Sequence, residues 1–160
     1  MGRVVDPASV RWIGFSHFES DALNEWFRVA PRAQAVCRHR IDFLSTPHVP
    51  HCWYAGLFFD RTERTPFCSD LFFHPGDPPP VTGSNVVGPA RESIVKGLAG
   101  PMRNDMPFAP YTESTLERLA SLAPRTLALM HGSTFTGDGG AAIRALARVI
   151  TDTLGPHPAR

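Results

Sequence analysis

Histidine, glutamate and aspartate recur at every second position in His17-Phe18-Glu19-Ser20-Asp21. In an extended segment successive side chains alternate sides, so all three would point the same way. One imidazole and two carboxylates on one side form half of a site for a hard or borderline divalent cation. Three further metal-binding side chains follow, each beside a stretch of β character: His51, Asp70 and His131. His48 shares the proline-stiffened turn Thr46-Pro47-His48-Val49-Pro50-His51 and competes with His51 for the ligand role. With one histidine for each of two ions, Asp70 would bridge them. Two divalent ions then carry four positive charges, three carboxylates return three, and a bridging hydroxide makes the centre neutral. Neutrality spares a buried site a large desolvation cost. Imidazole and carboxylate suit iron or manganese, and zinc accepts the same donors. Water held between two such ions becomes a strong nucleophile, and an open coordination position accepts a small diatomic molecule.

These residues need a scaffold that fixes them at the ends of strands. Val10 to Phe15 reads as a strand and Asp21 to Val29 as a short helix ended before Pro31. Ala33 to Cys37 and Arg40 to Leu44 read as short strands, the second broken by Thr46-Pro47. Ala55 to Asp60, a polar turn at Arg61 to Arg64, and Thr65 to Ser69 read as a hairpin that delivers Asp70. Phe73 to Thr82 and the Pro/Met-rich stretch Gly100 to Pro110 read as loops. Ala90 to Leu98 and Thr112 to Leu122 have helical spacing, with Thr112, Glu113, Ser114 and Glu117 as start signals for the second. Arg125 to Met130 reads as a strand running into His131-Gly132. The Gly-rich turn Thr136 to Gly140 then starts a helix from Ala141 to Leu154, closed by Gly155-Pro156. This alternation predicts an α/β fold.

The chain has 160 residues, enough for one domain, and 42% hydrophobic with 19% charged residues allows a packed core. A net charge of +1, from 16 basic and 15 acidic residues with no basic tract, argues against a nucleic-acid partner. No apolar run is long enough for a membrane span, and the N-terminus lacks the apolar stretch of a secretory signal. Cys37, Cys52 and Cys68 include no C-x-x-C pair, which fits reduced thiols in a cytoplasm.

In its motifs the chain resembles the metallo-β-lactamase fold superfamily, in particular the diiron branch of flavodiiron and oxygen-binding diiron proteins. That family's first motif is usually H-x-H-x-D-H. This chain reads His17-Phe18-Glu19-Ser20-Asp21-Ala22, and glutamate for the second histidine marks the diiron branch. A histidine in a Thr-Pro-rich turn, an aspartate after a hairpin and a His-Gly after a late strand follow in family order. Ala128-Leu129-Met130-His131-Gly132-Ser133-Thr134-Phe135-Thr136-Gly137-Asp138-Gly139 matches the last motif closely. The resemblance implies that His17, Glu19, His51 and Asp70 hold one metal, and Asp21, Asp70 and His131 the other. It also implies an αββα sandwich, with two divalent ions as cofactors, iron first and zinc or manganese as alternatives. Ala22 stands where the family often has a further histidine. Only 16 residues precede the first motif, so the sandwich is expected to lack most of its first sheet.

Taken singly, each residue also has a structural reading. Asp21 would cap its helix, Glu19 would be solvated, and His17 would be a half-buried, hydrogen-bonded histidine. Asp70 would cap a turn, and His131 would be held by the backbone of Gly132 and Ser133. The Thr136 to Gly140 run would be a tight turn rather than a phosphate cradle, lacking a P-loop pattern. His48, His51, Cys52 and Cys68 lack the paired spacing of a structural zinc site. Three functions follow. The first is a diiron protein for oxygen or nitric oxide chemistry or binding, supplied by an electron-donor protein. The second is a hydrolase using a metal-bridged hydroxide on a small-molecule substrate. The third is a truncated, non-catalytic remnant whose sheet is completed by another subunit, including a second copy of the chain.

Overall fold

The computed structural model describes residues 34–36, 38–50, 55–101 and 103–156. His17, Glu19, Asp21 and His51, with the expected first strand and helix, lie outside the described residues. The first sheet is an antiparallel meander of β1 (Gln34–Val36), β2 (His39–Ser45), β3 (Gly56–Asp60) and β4 (Thr65–Phe67). Strand β3 is rich in large apolar residues, and the polar turn at Arg61 to Arg64 returns the chain as β4, as the hairpin reading expects. Cross-strand pairing sets Leu44 opposite Leu57 on one face and Phe43, Phe58 and Phe67 in a row on the other. Phe43 and Phe58 meet edge to face at 5.7 Å.

The second sheet has β5 (Val81–Thr82), β6 (Thr126–Leu127) and β7 (Thr134–Thr136), with β7 in the centre. Strand β5 runs parallel to β7, and β6 antiparallel to it. Neither β5 nor β7 was legible as a strand, because both occur in stretches rich in turn residues. The two sheets meet along β4 and β6. There Ala128 N–H donates to Pro66 O (3.1 Å), Cys68 N–H to Ala128 O (2.8 Å) and Met130 N–H to Ser69 O (3.1 Å). The expected strand from Arg125 to Met130 is therefore a short strand prolonged by this seam.

Three helices lie among the described residues: α1 (Val87–Leu98), α2 (Thr112–Ser121) and α3 (Gly139–Leu154). Asn85 Oδ1 accepts the N–H groups of Val87 and Gly88, both at 3.0 Å, and so starts α1 earlier than its apolar spacing suggests. Helix α2 starts at Thr112, one of its expected start signals, with no side-chain cap. Glu117 turns outward to Arg144 of α3, its oxygens 2.7 to 3.2 Å from the guanidinium nitrogens. Asp138 caps α3 by accepting Ala141 N–H at 2.8 Å. Gly139 and Gly140 then form its first turn. A Cβ on Gly139 would lie 2.9 Å from both Leu127 Cδ2 and Pro124 O, and one on Gly140 2.9 Å from Ala120 O. These glycines permit close packing, and the carboxylate at the helix start opposes a phosphate.

The core joins sheet to helices. Leu57, Cys68, Leu71, Phe72 and Leu127 meet Ala90 of α1, Leu116 and Leu119 of α2, and Ile143, Leu146 and Ile150 of α3. The spacing of the last three gives α3 one apolar stripe. The architecture is mixed α/β. Among the described residues, no helix is long and apolar enough to cross a membrane.

Candidate metal centre

The seam between β4 and β6 positions the two described candidate ligands. Both strands run in the same direction, and their hydrogen-bonded seam ends at Ser69 and Met130, one residue before Asp70 and His131. Beyond β4 the chain coils tightly: Leu71 N–H donates to Cys68 O and Phe73 N–H to Asp70 O, at 2.9 and 2.8 Å. Ser69 and Phe72 on either side of Asp70 have φ of 48° and 70°. Left-handed backbone at non-glycine residues costs about 1–3 kcal/mol each and is stored at functional sites. Phe72 is 2% exposed, and its burial holds the conformation.

Asp70 Oδ1 and His131 Nε2 lie 3.4 Å apart. Their side chains are 20% and 52% exposed, so the donors face accessible space rather than the core. Two donors at about 2.1 Å from one ion stand about 3.0 Å apart at right angles and about 3.4 Å apart at a tetrahedral angle. The 3.4 Å separation is that of a His–Asp ion pair, and the pair's oxygen and nitrogen donors are of types that iron, manganese or zinc accept. Phe73 packs edge to face on the His131 ring at 5.4 Å and limits its rotation.

His74 is the site residue the sequence reading missed. It is 8% exposed, and Ser133 N–H donates to its Nε2 at 3.4 Å. Its Nδ1 donates to Phe72 O at 3.0 Å, which leaves both ring nitrogens engaged. His74 N–H also donates to His131 O at 3.3 Å. This imidazole thus ties the turn carrying Asp70 to the turn carrying His131. Gly132 has φ 130° and stacks so closely that a Cβ would lie 2.2 Å from His74 Cε1. Gly132 was the available signal, since a glycine after a ligand indicates close approach or unusual backbone.

His48, the alternative to His51, stacks on Tyr111 with ring centroids 6.0 Å apart. Cys68 is fully buried in the core and its thiol contacts Pro66 O at 3.6 Å, so it is not presented to a zinc ion. Among the described residues, no group of three or more His, Cys, Asp or Glu stands close enough to hold a metal ion. Of the six candidate ligands, Asp70 and His131 are the two within the described residues.

Beside this pair opens a cavity of about 600 Å³. Asp70 and His131 form part of its wall, with Leu71, Phe72, Ile94 and Leu146 among its apolar lining.

Fold and site together define a mixed α/β protein with an imidazole and a carboxylate converging at the ends of two adjacent parallel segments. No family model matches the chain, and no curated protein matches it. Among solved structures it is similar to the apo state of the chemotaxis sensor ODP from T. denticola, with 13% identity and a TM-score of 0.53. The alignment covers 77% of this chain and 56% of that one, so the chain spans little more than half of that protein's length. At this identity the likeness is one of fold.

Proposed function

We propose that the chain is a metal-binding protein of the metallo-β-lactamase fold, with a dinuclear centre made by His17, Glu19, Asp21, His51, Asp70 and His131. The observation that carries this reading is the 3.4 Å approach of Asp70 Oδ1 and His131 Nε2. Two residues 61 positions apart in sequence converge at a distance suited to one shared ion. The order of the motifs supports the same reading.

Glu19 in place of a histidine favours iron, and with it binding or reduction of oxygen or nitric oxide in a reducing cytoplasm. The metal would supply an open coordination position for the diatomic molecule. The chain's own part is to hold donors: Asp70, Glu19 and Asp21 would offer carboxylates, His17, His51 and His131 one imidazole each, and His74 fixes the turn of His131. Electrons would come from a partner protein. The second reading, a hydrolase acting on an organic substrate, is favoured by the cavity of about 600 Å³ beside the pair. Metal identity separates the two. Chain purified with iron and changing its visible spectrum on exposure to oxygen or nitric oxide supports the first. Two zinc ions and ester hydrolysis support the second, and a folded chain that takes up neither metal refutes both.

A further inference from the structure

The cavity beside Asp70 and His131 is far larger than a diatomic ligand needs. A water molecule's share of liquid volume is about 30 Å³, whereas this space is about 600 Å³. Packed interiors hold few voids much larger than a water molecule, so a space of this size is no ordinary packing gap. It lies within the range of sites that enclose an organic ligand.

Shape and lining narrow the class. Along α1 the wall runs from Ala90 to Leu98, and α3 contributes Leu146 and Leu154. At 1.5 Å per residue both spans are about 12 Å long, which sets the length a ligand can occupy. Part-exposed Ile94, Met106 and Leu154, backed by the core residues Leu71, Phe72 and Leu146, give it an apolar surface that favours a hydrocarbon chain. Four charged side chains also line it: Asp70, Lys96, Arg103 and Asp105. Asp70 stands against His131, and Asp105 already has an interaction of its own. Lys96 and Arg103 are exposed, and neither is ion-paired among the described residues. Lys96 lies in the last turn of α1 with its ammonium exposed to solvent.

We infer that this cavity binds a medium-chain carboxylate, its chain between α1 and α3 and its anionic end at Lys96 and Arg103. That such a ligand would lie next to a metal centre rests on the function proposed above. Binding itself does not, so the test uses metal-free protein.

Calorimetric titration of the full, metal-free chain compares decanoate, decanol and decyltrimethylammonium below the concentrations at which they self-associate. Decanoate is expected to bind one to one and at least tenfold more tightly than decanol, with the cation weakest. The double variant Lys96→Glu/Arg103→Glu should lose at least tenfold of the decanoate affinity and keep decanol within twofold. Amide chemical shifts of the native chain should change on decanoate addition at Ile94, Leu98 and Met106. No saturable decanoate binding, equal affinity for the three probes, or shift changes confined to other residues would overturn the inference. Metal loading is measured separately on the same preparation. If decanoate binds but no metal does, the metal-centre reading fails and the cavity assignment stands.

Discussion

Replacing Gly132 by alanine tests how His131 is held. A methyl group there would lie 2.2 Å from Cε1, 2.6 Å from Nδ1 and 2.7 Å from Nε2 of His74, so the ring must move. Moving it breaks the bonds to Phe72 O and from Ser133 N–H, worth about 1 kcal/mol each. Backbone at φ 130° adds about 1–3 kcal/mol for any residue with a Cβ. We predict that Gly132→Ala costs about 3–5 kcal/mol in urea unfolding, a large value for a single methyl group. Most of the clash disappears if His74 is already small. The double variant His74→Ala/Gly132→Ala should therefore be less destabilised than the sum of the single variants by about 2 kcal/mol. Additivity within about 0.5 kcal/mol would refute the steric argument. So would a Gly132→Ala cost below about 1 kcal/mol.

Other consequences follow from the core and from buried ionisable groups. Leu116 is fully buried between sheet and helices, so Leu116→Ala should cost about 2–5 kcal/mol in the same unfolding assay. Burial pushes the Cys68 thiol well above its ordinary range, so peptide mapping after a thiol-reagent pulse should find it unmodified until the chain unfolds. The neutral thiol favours the folded state, and this contribution is complete below pH 9, then is lost at higher pH. Burial alone would raise the Asp60 carboxyl. Hydrogen bonds from His39, Thr62 N–H and Glu63 N–H outweigh it and hold the group below its ordinary 3.8. Its stabilisation is present above pH 3.8 and is lost as pH falls through the lower folded value. Asp60→Asn should therefore flatten the acid limb of the stability profile. An unchanged acid limb would contradict the assignment.

The hairpin of β3 and β4, the three helices and the position of Asp70 just past the hairpin were legible because local signals agree there. Large apolar residues alternate with turn residues around Arg61 to Arg64, and apolar spacing marks α2 and α3. Strands β5 and β7 were not legible, since their pairing joins Val81 to Thr134 across 53 residues and depends on no local pattern. The start of α3 was placed two residues late because Gly139 and Gly140 disfavour a helix, yet close packing against Leu127 and Ala120 requires them. The pair Asp70 and His131 could be nominated singly, but their 3.4 Å approach comes from the seam between β4 and β6. His74 left no sequence signal of its own, because a histidine bonded to backbone on both sides reads like any loop histidine.

The proposed centre is dinuclear and includes Asp70 and His131. Its most direct test is metal stoichiometry by elemental analysis of the folded, monodisperse chain after anaerobic loading with ferrous ion. Native protein should hold two ions per chain, and Asp70→Asn and Glu19→Ala, each still folded by circular dichroism, should lose them together. One ion or none in the native chain, or two retained in both variants, would contradict the account.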